Sequence, residues 1–162
     1  MFRRWLVAHD FEPCADAAAD AAARIALACR REGADAHLVL AHVVTPPAIS
    51  VAGDTSAGAT VMAVIDMMIK TARDRLDTTR ADLIARHPGI TVETIVISGG
   101  PVEAIIAEAQ RCDVDAIAIG SHGRRGIVHM FMGSVAERVV QRSPLPVFVL
   151  KEPPVPVVGV VA

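Results

Sequence analysis

Apolar residues recur along this chain with two periods that take turns. Arg4 to His9 is a short apolar run fit for a strand, and Asp10-Phe11-Glu12-Pro13 breaks it with a proline suited to a turn or a first helical position. Ala15, Ala18, Ala22, Ile25 and Cys29 then return at three- and four-residue spacing. That stripe predicts a helix through Arg31, stopped by Gly33, whose small residues can press close to a sheet. His37 to Val44, HLVLAHVV, is almost continuously apolar, the character of an interior parallel strand, and Pro46-Pro47 closes it.

Ala48 to Thr60 is rich in Gly, Ser, Thr and Ala without either period, which predicts a loop. From Val61 to Arg86, Ile65, Met68, Ala72, Leu76 and Leu83 mark one side of a long helix that ends at His87-Pro88-Gly89. Thr91 to Ser98 is a β-branched third strand, and Gly99-Gly100-Pro101 opens a helix through Arg111. Asp115 to Ile119 is a fourth strand, Gly120 to Met132 a glycine-punctuated loop, Gly133-Ser134 the start of a helix to Arg142, and Pro146 to Leu150 a fifth strand.

Strands alternating with helices predict an α/β fold, a doubly wound five-stranded parallel sheet with right-handed crossovers and helices on both faces. Composition agrees. A 162-residue chain that is 52% apolar, with positive mean hydropathy, fits one soluble domain whose strands are buried on both faces. In the flavodoxin-like or Rossmann-like order 3-2-1-4-5, strands one and four flank the point where the winding reverses, although sequence alone does not establish that order. Ligands of open α/β sheets bind at such a point, and Asp10 follows the first strand as Gly120 follows the fourth.

Charge and aromatic content narrow the partners. A formal net charge of −2 offers no basic surface for nucleic acid or an anionic membrane, and 3% aromatic residues with no tyrosine leave no stacking platform. No apolar run approaches the ~18 residues of a membrane span, and Met1 to Asp10 has no leader pattern, so a cytoplasmic location is expected. Cys14, Cys29 and Cys112 lack ligand spacing and are expected to be reduced thiols.

Candidate chemistry concentrates in Gly120-Ser121-His122-Gly123 and Gly133-Ser134, between a strand and a helix. Glycines let backbone approach phosphate oxygens, and a helix start offers unpaired N–H groups with partial positive charge. The pattern is a phosphate cradle without a Walker lysine, and the glycines alone fit a tight turn before an ordinary N-cap equally well. His9, His42 and His122 fall at strand ends in no zinc spacing: the first two read as packed, and His122 as open to phosphate. Arg124 and Arg125 suit phosphate geometry or plain solvation, while Met62, Met67, Met68, Met130 and Met132 read as adaptable packing. No nucleophile set is evident and Asp10 is a lone carboxylate, so no catalytic residue and no protein metal site are assigned.

The stretch GSHGRRGIVHMFMGSVAERVVQRSPLPVFVLK resembles the C-terminal signature of universal stress proteins, Gly-x2-Gly-x9-Gly-Ser/Thr, with its helix and closing Pro-Val-x-Val strand. VAHDFEPCADAA and LAHVV are similar to the same family, so the likeness spans residues 3 to 151 and leaves a Pro/Val-rich tail, 152–162, outside it. The full signature accompanies the family's ATP-binding branch. The resemblance therefore implies ATP, with magnesium or manganese carried by its phosphates, held by Gly120, Ser121, His122, Gly123, Gly133, Ser134 and Val135. Asp10 falls to the adenosine end and Val43 to the adenine contact. It also implies a homodimer through the last strand, Val147-Phe148-Val149-Leu150, apolar on both faces. Three functions stay open: an ATP-binding stress-response module read by a protein partner, a slow ATPase or nucleotidyl transferase, and a nucleotide-independent dimeric scaffold.

Overall fold

A computed structural model describes residues 2–30, 35–46, 55–121 and 133–151. Strands β1 (Arg4–Ala8), β2 (Ala36–Val44), β3 (Ile90–Ser98), β4 (Ala116–Ser121) and β5 (Val147–Lys151) form one parallel sheet in the order β3-β2-β1-β4-β5. The helices are α1 (Pro13–Ala28), α2 (Thr55–Arg86), α3 (Pro101–Arg111) and α4 (Ser134–Arg142). Fold class and strand order are as the sequence analysis expects. β1 lies at the centre, with Trp5 beside Leu38 of β2 and Ala116 of β4, and the Asp115 carboxylate ties down its start by accepting the Arg3 and Arg4 N–H groups at 2.7 and 2.9 Å.

Alternation along the strands divides the core between the faces. Trp5, Val7, Leu38, Leu40 and Val92 meet α1 and α2 on one face, and Leu6, Ala8, Ile117 and Ile119 meet α3 and α4 on the other. Trp5, the largest of these, is fully buried, stacks edge-on with Phe148 at 4.8 Å and donates its indole N–H to the Phe2 carbonyl. Each large apolar side chain removed from water contributes about 1.5–3 kcal/mol. Helix α1 contributes through smallness instead: Ala15, Ala18, Ala19, Ala22, Ala23 and Ala26 are all at most 1% exposed, so its backbone lies close against the sheet.

Several boundaries differ from the sequence expectation. Helix α1 stops at Ala28, with Arg31 and Gly33 outside the described residues. Strand β4 continues through Gly120 and Ser121, which pair with Leu150 and Lys151 of β5, so the expected loop begins two residues later. Helix α2 begins at Thr55, inside the segment expected to be a loop, of which residues 48–54 lie outside the described residues. The alanines at positions 57 and 59 favour helix, and a helix already nucleated extends cheaply through residues that show no amphipathic period.

The result is a helix of 32 residues, about 48 Å, packed against nine-residue strands of about 30 Å. Among the described side chains of the helix, the buried ones, Ala72, Leu76 and Leu83, belong to the second half, while Met62, Met67 and Met68 are 59%, 64% and 39% exposed rather than packed. Met130 and Met132 lie outside the described residues. No helix among the described residues is long and apolar enough to cross a membrane.

The end of α2 is fastened to α1 by Asp20, which accepts hydrogen bonds from Arg86 at 2.6 Å and His87 Nε2 at 2.8 Å and pairs with Arg24 at 3.2 Å. Partial burial pushes the Asp20 carboxyl up, but the His87 hydrogen bond and the charges of His87, Arg24 and Arg86 outweigh it and hold the group below its ordinary value. A lowered carboxyl pKa contributes stability that is full above the unfolded value of ~3.9 and is lost as pH falls through the folded one. Asp20→Asn is expected to cost about 1–2 kcal/mol at pH 7 and much less at pH 3, measured by urea denaturation at both; equal losses at the two pH values would contradict the clamp.

Candidate functional site

The chain winds outward from β1 through β2 to β3, then returns to lay β4 on the other side of β1. The carboxyl ends of β1 and β4 therefore form the switch point, and a cavity of about 270 Å³ opens there. Ala8, His9 and Asp10 line it from the end of β1, Ala41, His42 and Val43 from β2, and Ile119 and Gly120 from β4. Pro101 and Ile105 of α3 and Gly133, Ser134, Val135 and Ala136 at the start of α4 complete it.

Two helix N-termini thus face one cavity. Gly100 and Gly133, the N-caps of α3 and α4, provide no side-chain cap. Pro101 at the first position of α3 has no N–H, so the donors come chiefly from α4. Its first internal bond runs from the Glu137 N–H to the Gly133 carbonyl at 2.9 Å, which leaves the N–H groups of Ser134, Val135 and Ala136 without an acceptor in the helix. No lysine or arginine lies among the described lining residues, and Asp10 is their one carboxylate. Such a helix start presents backbone dipoles of the kind that favour an anion.

Of the residues singled out in the sequence, Asp10, Val43, Gly120, Gly133, Ser134 and Val135 meet at this cavity. His122 and Gly123, with Arg124, Arg125 and His129, lie outside the described residues. Ser121 does not line the cavity: it is 2% exposed, and its Oγ accepts the Gly133 N–H at 3.0 Å, joining the two ends of the segment 122–132. Gly120 has a packing cause of its own. A Cβ there would stand 2.7 Å from the Ala15 nitrogen and the Cys14 carbonyl carbon, so the residue must be glycine for α1 to sit where it does. Pro101, Ile105 and Ala136 were not anticipated, because a strand order is needed before residues so far apart can be seen to converge.

The wall formed by the β1–α1 turn is tightly bonded. The His9 N–H donates to the Ala41 carbonyl at 2.8 Å, and His42 Nδ1 donates to the His9 carbonyl at 2.7 Å. The imidazole of His9, 3% exposed, accepts the Phe11 N–H on Nδ1 at 3.1 Å and faces Asp16 Oδ1 through Nε2 at 3.1 Å. Phe11 takes φ = 67°, a left-handed conformation uncommon for a bulky residue, and its ring lies 4.4 Å from His42 and beneath the Arg75 guanidinium at 4.0 Å. Asp10 Oδ1 accepts the Glu12 N–H at 3.2 Å and closes the turn.

The family model described as "Universal stress protein family" matches residues 1–151. The chain belongs to the universal stress protein family. The universal stress protein YxiE of Bacillus subtilis is 29% identical over 157 residues, 93% of this chain and all of YxiE. MJ0531 of Methanocaldococcus jannaschii is 34% identical over 70 residues, a match spanning 43% of this chain and 41% of that protein. Among solved structures, that of MJ0577 superposes with a TM-score of 0.75 at 23% identity, covering 96% of this chain and 99% of its own. A universal stress protein in complex with cAMP has a TM-score of 0.57 at 20% identity, with 93% and 97% covered. One from Archaeoglobus fulgidus in complex with dAMP has 0.55 at 22%, with 93% and 100% covered.

The close contact of Gly120 generates a test of the packing. Gly120→Ala should destabilise the domain by about 1–3 kcal/mol, because the atoms in the way are main chain and α1 must lift as a unit. A denaturation midpoint equal to that of the unaltered protein would show that α1 does not press on β4 as described.

Proposed function

We propose that the chain binds an adenine nucleotide, ATP foremost, in the switch-point cavity, and acts as a nucleotide-dependent stress-response module in the cytoplasm. The observation that carries this reading is the uncapped N-terminus of α4, aimed into a cavity whose described lining has no cationic side chain. The cAMP and dAMP complexes of structurally similar family members support the same ligand class. Gly133, Ser134 and Val135 meet the phosphates, with Gly120 beside them and His122 and Gly123 supplied by the segment outside the described residues. Asp10 accepts from the ribose hydroxyls, and Val43 borders the adenine.

Ser121 serves the site indirectly by holding Gly133 at the cavity mouth through its 3.0 Å bond. Any magnesium or manganese is carried by the phosphates. The assignment names no general base. Turnover is accordingly expected below about one per second, under the common enzyme range.

Titration calorimetry with magnesium ATP tests the site. Gly133→Val and Gly123→Val are each expected to abolish binding with an unchanged circular dichroism spectrum. Ser134→Ala is expected to weaken it about tenfold or more, the worth of one hydrogen bond to a charged group. Unaltered affinity in Gly133→Val would refute the assignment and leave the nucleotide-independent scaffold in its place.

We further propose a homodimer through β5. It is an edge of the sheet, and Val147, Phe148, Val149 and Leu150 are each partly exposed. Phe148 and Leu150 extend one core face while Val147 and Val149 extend the other, so a two-fold copy would satisfy the open ladder and cover both. Light scattering is expected to give a dimer at micromolar concentration and a monomer for Val149→Lys; a monomer without the substitution overturns the interface.

A further inference from the structure

His9 stands against the cavity without a part in the nucleotide reading, and both of its ring nitrogens are engaged. Nδ1 accepts the Phe11 N–H, so the proton of the neutral ring must sit on Nε2, where it is shared with Asp16. A second proton would have to enter at Nδ1 and would face the Phe11 N–H donor to donor. The turn as built therefore requires a neutral imidazole.

What that single acceptor holds is costly to hold otherwise. Phe11 adopts a left-handed backbone at φ = 67° with no glycine to ease it, and conformations of this kind persist only where surrounding bonds fix them. The Phe11 ring joins β1 to β2 and α2 by standing 5.4 Å from the His9 ring, 4.4 Å from the His42 ring and 4.0 Å from the Arg75 guanidinium. One residue earlier is Asp10, which lines the cavity. Without the bond at Nδ1 nothing described holds the Phe11 N–H, and Asp10 is its immediate neighbour in the chain.

We propose that His9 is a positioning residue for the nucleotide site: its neutral ring clasps Phe11 and so presents Asp10 to the ligand, and a proton on Nδ1 opens the clasp. The inference rests on the nucleotide reading for its ligand, but the clasp itself does not. The charged and titratable groups around the ring are Asp16 from α1, Asp10 from the turn and His42 from β2, with Arg75 of α2 reaching it only through Phe11. Burial lowers the pKa of His9 below 6.5, and the opposing pull of Asp16 and Asp10 does not restore it. Asp16 is 58% exposed at its side chain, so water screens that pull. The ring is neutral at pH 7, and both the clasp and its share of stability are lost as pH falls below 6.5 through the folded value.

Two measurements on the full chain decide this. Long-range nitrogen–proton spectra of the imidazole should show the Nε2–H tautomer at pH 7.5, and the Phe11 amide should shift, and lose protection from exchange relative to the intrinsic rate at each pH, with the same acid midpoint as His9. A Phe11 amide that ignores the titration of His9 overturns the clasp whatever the protein binds. In the second measurement, ATP affinity is followed from pH 7.5 to 5.0 in the unaltered protein and in His9→Asn. The asparagine amide oxygen replaces Nδ1 as acceptor and cannot take a proton in this range.

The unaltered protein should lose about threefold to tenfold more affinity than His9→Asn across that range, the size of one net hydrogen bond. Titration of the ATP phosphates is common to both proteins and cancels in the comparison. His9→Leu, which has no acceptor, should bind weakly at every pH. Parallel pH profiles for the unaltered protein and His9→Asn would defeat the positioning role. Absence of ATP binding at any pH would instead defeat the nucleotide reading and with it the ligand side of the proposal, while the amide titration still judges the clasp.

Discussion

The approach of α1 to β4 sets the positions of most other parts. Gly120 has a backbone that any residue can adopt, yet a methyl group on it would meet the main chain of Cys14 and Ala15 at 2.7 Å. Glycine on the strand and a row of buried alanines on the helix let two backbones come within reach of each other across the middle of the sheet. Because α1 starts at that contact, the turn preceding it, Asp10 to Glu12, can only lie over the carboxyl ends of β1 and β4. The close approach and the cavity are thus two sides of one arrangement.

Much of this could be read in the residues beforehand. The strands were legible to within about two residues, because continuous apolar runs such as Leu38 to Val44 have no use in this kind of protein except burial on both faces. The start of α2 was not, since Ala, Ser and Thr favour no period and helix there depends on extension from elsewhere. The exposure of Met62 and Met67 was also hidden, because it follows from a helix outrunning its strands, a length comparison that needs both sets of boundaries.

At the cavity, six of the residues singled out in the sequence meet, and Gly120 and Ser121 have structural partners that the motif does not announce. Gly120 was read as room for phosphate, and the structure adds a close approach to the main chain of α1. Ser121 was read as a ligand contact, and its hydroxyl is occupied by Gly133. Both belong to a motif whose spacing is visible but whose division of labour depends on partners far off in sequence. The left-handed backbone of Phe11 left no trace at all, because the residue type argues against it and only the bonds around it impose it.

The bond between Ser121 and Gly133 also bears on how such a domain can diversify. It fixes the two ends of the segment 122–132 beside each other, with β4 on one side and α4 on the other. Once ends are fixed, lengthening a segment is inexpensive, since doubling a loop costs only about 0.6 kcal/mol in closure entropy. A change of length between those ends therefore carries little penalty to the sheet. One buried hydroxyl in this way keeps the end of β4 and the start of α4 together, whatever length of chain runs between them.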